Sequence, residues 1–232
     1  MEYKTSAADN RLLAVLSPDS TAELRLEQIA LPAGEILLPV DEPVRHVYFP
    51  TTAIIAVVGN ISNGRMVEVG ICGSEGLAGI AALFGENISA LERRIQVPGE
   101  LFRASLNSVQ REFDRAGDFQ KRILHFTQRF TRQVAMTVVC SRFHTVEQRL
   151  VRWLLMRHDR LAGDVIPLTH EFIAQMLGVN RSTVTLAANH LQESGYIKYI
   201  WGRITICDRK AMEAIVCECY PVRANGNQDL PL

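Results

Sequence analysis

From Asp118 to about Arg142 the chain runs without proline or glycine. Its apolar residues recur at helical spacing: Phe119, Ile123, Phe126, Phe130, Val134 and Val138. That seam predicts one amphipathic helix of roughly 37 Å, at about 1.5 Å per residue. Upstream the period is different. Ser17-Pro18 reads as the cap and first turn of a helix reaching about Ile29. From Leu31 to about Phe102 the apolar residues instead fall in short runs, Val47 to Phe49 and Ile54 to Val58, or alternate, as Val67, Val69 and Ile71 do after Asn63-Gly64. Residues 31–35 (LPAGE) and 97–100 (VPGE) are turns. Short strands separated by glycine and proline predict a sandwich or small barrel.

Downstream the pattern is helical again and strongly punctuated. Thr145 and Gln148 form a capping box for a helix burying Leu150, Val151, Trp153, Leu154 and Leu155 and ending near residues 161–163. Thr169 is placed to cap a short helix that turns Phe172, Ile173, Met176 and Leu177 inward, and Gly178 stops it. Val179 plugs the turn. Asn180 is placed to cap a second helix with Val184, Ala187, Ala188 and Leu191 inward, closed by Gly195. Residues 196–200 (YIKYI) and 203–207 (RITIC) then read as two strands joined at Trp201-Gly202. A helical hairpin followed by a β-hairpin is a winged helix-turn-helix.

The outward side of the second helix is Arg181, Ser182, Thr183, Thr185, Asn189 and His190, polar and free of acid until Glu193. Such a face suits the DNA major groove, with the helix N-terminus toward phosphate. Lys198 and Arg203 are placed where a wing meets phosphate. Thr169, His170 and Asn189 are read as phosphate or flanking contacts, and Asn180 as part of the same rim.

Charge supports this reading without dominating it. The net charge over 232 residues is zero, yet residues 118–210 carry fourteen Lys and Arg against seven Asp and Glu. The excess is small, so affinity rests on geometry and on pairing of two subunits as well as on phosphate attraction. With 47% hydrophobic and 22% charged residues, the composition is that of a soluble globular chain of one large or two small domains. No apolar run is long enough to cross a bilayer and the first ten residues do not read as a signal peptide, so a cytoplasmic location is expected. Five scattered cysteines argue for reduced thiols rather than a disulfide framework.

Catalytic signals are not found: no H-E-x-x-H or G-x-S-x-G occurs, and His125, His144 and His158 lack a nucleophile at a recognisable spacing. The glycine-rich residues 73–79 (GSEGLAG) lack the Lys-Ser/Thr ending of a phosphate loop and read as tight connections between strands. Cys217 and Cys219, with or without Cys207, have the composition of a metal site or an oxidant sensor. C-x-C alone is a weak signal, so structural thiols are the expectation and no metal ligand is assigned.

Barrel, long helix and winged helix in this order resemble the Crp/Fnr family of bacterial transcription regulators. The resemblance is carried by Leu168-Thr169, by 178–184 (GVNRSTV) and by 191–197 (LQESGYI), with a weaker match in the barrel. It implies an α+β fold: a cyclic-nucleotide-binding-like jelly-roll over 1–117, a dimerisation helix and hinge over 118–144, and a winged helix-turn-helix over 145–232. It further implies a homodimer held along Phe119, Ile123, Phe126, Phe130, Val134 and Val138, a palindromic double-stranded DNA site, and RNA polymerase as a partner. Departures limit what carries over. Leu83-Phe84 follows 79–82 (GIAA), without the glutamate that holds a ribose in cyclic-AMP-binding members. Residues 91–94 (LERR) lack the Arg-Ser or Arg-Thr pair for the phosphate. Cyclic AMP is therefore not expected. Nor is an iron–sulfur cluster, since the first cysteine is Cys72. In the reading helix Arg181 is retained for guanine, while Ser182 and Leu186 replace a glutamate and a second arginine, predicting a different half-site. Two other readings stay open: a winged helix that docks protein, and a regulator controlled by thiol oxidation.

Overall fold

The computed structural model describes residues 5–220. The chain groups into two compact units: residues up to 58 with 70–132, and residues 59–69 with 133 onward.

In the first unit, two short 3-10 turns (Ala7–Asp9, Leu13–Val15) precede α1 (Pro18–Leu24), which has proline in its first turn and Ser17 accepting from the Ser20 amide. This helix ends five residues before the expected Ile29. Arg25 turns left-handed at φ 49° and the chain enters β1 (Glu27–Leu31), so residues 27–29 are strand. One antiparallel sheet orders β1, β7 (Gly99–Ser105) and β3 (His46–Pro50). A second orders β2 (Ile36–Leu38), β6 (Glu92–Val97), β4 (Ile54–Asn60) and β5 (Met66–Cys72). Phe49 pairs with Phe102 in one sheet and Ile55 with Ile95 in the other. Residues from both sheets join α2 (Ile80–Leu83), α3 (Leu106–Asp114) and the start of α4 (Asp118–Phe143) in a single apolar core. The glycine-rich run is a connection packed against that core. A side chain on Gly76 would place its Cβ 2.3 Å from the Phe126 ring, so only glycine fits.

The long helix forms as the spacing predicts, but its seam is used differently. Phe119, Ile123 and Phe126 are buried in the core of their own unit, and Phe130 packs against it. Burial within one chain leaves Phe119, Ile123 and Phe126 little surface to offer a partner, in contrast to the expected dimer seam. Val134 is half-buried and Val138 is exposed; Leu124, Val139 and Phe143 are exposed apolar residues of the same helix.

In the second unit, α5 (Val146–His158) packs on α7 (Arg181–Glu193) and α8 (Arg209–Ile215), and α6 (His170–Leu177) packs on α7. Leu150, Val151, Leu154, Leu155, Ile173, Val184 and Leu191 are buried. The capping box at Thr145 is present in both directions. A three-stranded sheet orders β8 (Val165–Ile166), β10 (Arg203–Ile206) and β9 (Ile197–Ile200). The unit also contains the 59–69 hairpin tip, which turns at Asn63-Gly64 as expected, with Gly64 at φ 78°. The alternation of β5 is reversed at this end. Glu68 is buried and Val67 is 39% exposed, because Glu68 pairs with the guanidinium of Arg157, which is fully buried.

Candidate nucleic-acid interface

The reading helix is set by local chemistry. The Thr169 hydroxyl accepts the Phe172 amide at 3.2 Å, and Gly178 leaves α6 in left-handed geometry at φ 65°. Val179 donates back to the Ala174 carbonyl, which fixes the tight turn. Asn180 occupies the N-cap of α7, but its side chain makes no capping hydrogen bond, contrary to the expected role. The amide side chain and the first-turn N–H groups of α7 thus share one exposed end. Gly195, at φ 76°, follows the helix as its stop.

Four of every seven or so residues of α7 face away from the core, as a helix packed on one side must leave them. Arg181, Ser182, Thr183, Asn189 and His190 are exposed and Thr185 is half-buried. Leu186 stands among them at 73% exposure, an apolar side chain outside the core. His190 at the far end pairs with Glu147 at 2.7 Å. Lys198 on β9 and Arg203 on β10 are exposed. Between them the wing turns through two left-handed residues, Trp201 at φ 48° and Gly202 at φ 76°, leaving the Trp201 indole 93% exposed. The sequence marked this dipeptide as a turn; that it carries an aromatic ring into solvent is visible only in the fold. Gly202 approaches the Thr169 methyl so closely that a Cβ would lie 3.3 Å from it, which sets the wing turn beside the start of α6.

His170 sits differently from an exposed phosphate contact. It is 7% exposed, its ring stacks on Tyr199 with centroids 3.9 Å apart, and Nδ1 lies 3.2 Å from the Thr185 hydroxyl. It joins α6, α7 and the wing from inside. Burial holds its pKa below the ordinary 6.5, and the nearby Arg181 charge acts in the same direction. Because the folded-state value is depressed, the neutral ring contributes stability above about pH 6.5, and that contribution is lost as pH falls through the folded value. Wild-type protein is therefore expected to lose stability below pH 6.5 faster than His170→Gln in urea unfolding. Parallel pH profiles would remove His170 from this role.

The arginines nearest the cyclic-nucleotide pattern are engaged within the first unit. Arg94 pairs with Glu92, and Arg93 donates to the Leu91 carbonyl at 2.7 Å. A second constellation lies in the second unit. The thiols of Cys140, Cys217 and Cys219 and the His144 imidazole have ligand atoms within 4.8 Å of one another. No joint signal in the sequence links His144 to Cys217 and Cys219, for which a structural role was expected; the fold brings them together. Cys207, considered there with Cys217 and Cys219, is exposed and outside the group.

An exposed polar helix beside a β-hairpin that carries Lys198 and Arg203, held by a helix-turn-helix, makes the second unit a winged helix-turn-helix. Residues 148–215 match the family model of the Crp-like helix-turn-helix domain. FixK2 from Bradyrhizobium japonicum superposes with a TM-score of 0.71 at 17% identity, covering 83% of this chain and 98% of its own. A Crp/Fnr-family transcriptional regulator from Eubacterium rectale gives 0.68 at 15% identity, covering 88% and 96%. TTHB099, a CRP-family regulator from Thermus thermophilus, gives 0.65 at 19% identity, covering 81% and 95%. No curated protein matches the chain by sequence. Residues 148–215 thus carry a Crp-like helix-turn-helix domain, and the chain shares the fold of these solved structures. Among the described residues no helix is long and apolar enough to cross a membrane.

Proposed function

We propose that the protein binds double-stranded DNA as a homodimer on a palindromic site, with one α7 in each of two successive major grooves about 34 Å apart. The exposed, acid-free rim from Arg181 to Asn189 carries this reading. Arg181 and Asn189 offer side chains for purine edges, Ser182, Thr183 and Leu186 short or apolar contacts, and Asn180, Thr169, Lys198 and Arg203 the phosphate contacts. Dimerisation uses the part of α4 that the core leaves free. Val138, Val139 and Phe143 are exposed on the end of α4 that lies in the second unit. RNA polymerase is the partner such a regulator works on.

The test is selection of bound sequences from random DNA by the purified full chain, followed by titration at several salt concentrations. A two-fold-symmetric consensus with half-sites one helical turn apart is expected, with affinity falling steeply as salt rises. Sequence-independent binding, or affinity insensitive to salt, would instead favour a winged helix that docks protein.

A further inference from the structure

We propose that Cys140, His144, Cys217 and Cys219 form a closed, tetrahedral site for a single zinc ion. This does not rest on DNA reading.

Cys140 is in the last turn of α4 and His144 directly follows the helix, its amide still donating to the Cys140 carbonyl at 3.2 Å, so the two side chains leave the chain on the same side. Cys217 and Cys219 come from the turn that follows α8. The Sγ atoms of Cys140 and Cys217 are 3.7 Å apart, and Sγ of Cys219 lies 3.6 Å from Nδ1 of His144. A tetrahedron built on Zn–S bonds of about 2.3 Å has S–S edges of about 3.8 Å, and Zn–N of about 2.0 Å makes its S–N edges about 3.5 Å. Two opposite edges therefore already have the length that a bound ion requires. With every pair within 4.8 Å, closing the others takes movements of about an ångström. The space fits one ion and not a cluster in which each iron takes its own thiolate.

The surroundings are those of a ligand set. All three thiols are at most 4% exposed, and the His144 side chain is 10% exposed. His144 Nε2 lies 3.2 Å from the Glu218 carboxylate, the outer partner that orients a metal-bound imidazole and selects the tautomer with Nδ1 free. Three thiolates around a divalent ion leave one negative charge. The guanidinium of Arg152, 6% exposed, stands beside it with Nε donating to the Cys219 carbonyl at 3.2 Å. The C-terminal turn is fixed independently: the Tyr220 amide donates to the Cys217 carbonyl, and the Tyr220 hydroxyl lies 2.9 Å from the Asp159 carboxylate. Soft thiolates in tetrahedral array select zinc among the common divalent ions, and four protein ligands leave no position for substrate, so the role is structural. The ion would clamp the end of α4 to the segment after α8. Binding displaces the thiol protons, so affinity falls as pH is lowered.

The test uses the full chain, stripped of metal by a chelator under reductant and titrated with Co2+. One equivalent is expected to produce the visible bands of tetrahedral cobalt with thiolate-to-metal charge transfer, one equivalent of Zn2+ to abolish them, and zinc to raise the melting temperature. Cys219→Ser and His144→Ala lose the tetrahedral spectrum. Cys207→Ser retains it, and Glu218→Gln weakens affinity on the order of tenfold. The proposal is overturned if the reduced wild type gives only weak octahedral cobalt spectra. It is equally overturned if Cys207→Ser loses the signal as Cys219→Ser does, or if the reduced wild type binds no Co2+ and mass mapping of the untreated protein finds a Cys140–Cys217 disulfide instead. None of these readings involves DNA, so they stand apart from the binding tests.

Discussion

Replacing Glu68 by alanine is expected to destabilise the second unit by about 3–5 kcal/mol, the cost of stranding a buried charge. The charge is Arg157, whose side chain is wholly buried. Its guanidinium carbon sits over the Trp153 indole, 3.2 Å from the ring centroid, and the group donates to the Trp153 carbonyl at 2.8 Å and pairs with the Glu68 carboxylate. Burial pushes the Arg157 pKa down to about 10, and the adjacent Glu68 charge offsets only part of that. The pair is thus a device whose removal in halves is costly, while removal in whole need not be. Glu68→Leu with Arg157→Met should lie near wild type or above it, because two apolar side chains of similar volume need no desolvation. Both tryptophans, Trp153 and Trp201, belong to this unit, so their fluorescence during urea unfolding reports on it directly. A single Glu68 variant within about 1 kcal/mol of wild type, where ordinary surface substitutions fall, would show that the pair is solvated and the argument misplaced.

The Glu68–Arg157 pair also marks the limit of what could be read from the chain. Val67, Val69 and Ile71 alternate in the sequence, yet Val67 is exposed and Glu68 is buried. The reversal depends on a cation 89 residues away, and no local pattern announces it. The same holds for α4. Period alone established the helix, and it named the right apolar residues, but it could not say whether Phe119, Ile123 and Phe126 would meet a second subunit or their own sheets. A covalently attached core is always present at high local concentration, and it took them. His170 misled for a related reason: at the first turn of a helix facing DNA it looks exposed, and only the wing folding back with Tyr199 covers it. What was legible was whatever depends on neighbours in sequence. Thr169, Gly178 and Gly195, and the Thr145–Gln148 box, act within a few residues, and they place the reading helix unaided. The cysteine cluster lay between these cases. C-x-C at 217–219 and C-x-x-x-H at 140–144 are each visible, the second at helical spacing, yet their meeting is a property of the fold.

Because the reading helix follows from local chemistry, its contacts can be tested without disturbing the fold. Arg181→Ala is expected to weaken binding to the selected site by about 1–3 kcal/mol, or roughly 5- to 150-fold, and to relax preference at one base pair of each half-site. Arg181 is the first residue of α7 and is exposed, so the variant should keep the wild-type melting temperature and circular dichroism. Arg181→Lys separates charge from geometry: lysine restores the positive charge but not the planar fork that meets guanine at two atoms, so affinity recovers more than selectivity. Lys198→Ala, on the wing, should lower affinity for all sequences alike and reduce the salt slope by about one. Gel-shift titrations at one fixed salt concentration, against the selected site and a single-base variant of it, distinguish these outcomes. If Arg181→Ala matched wild type on both duplexes, the helix would not be lying in the major groove with its N-terminus toward the bases.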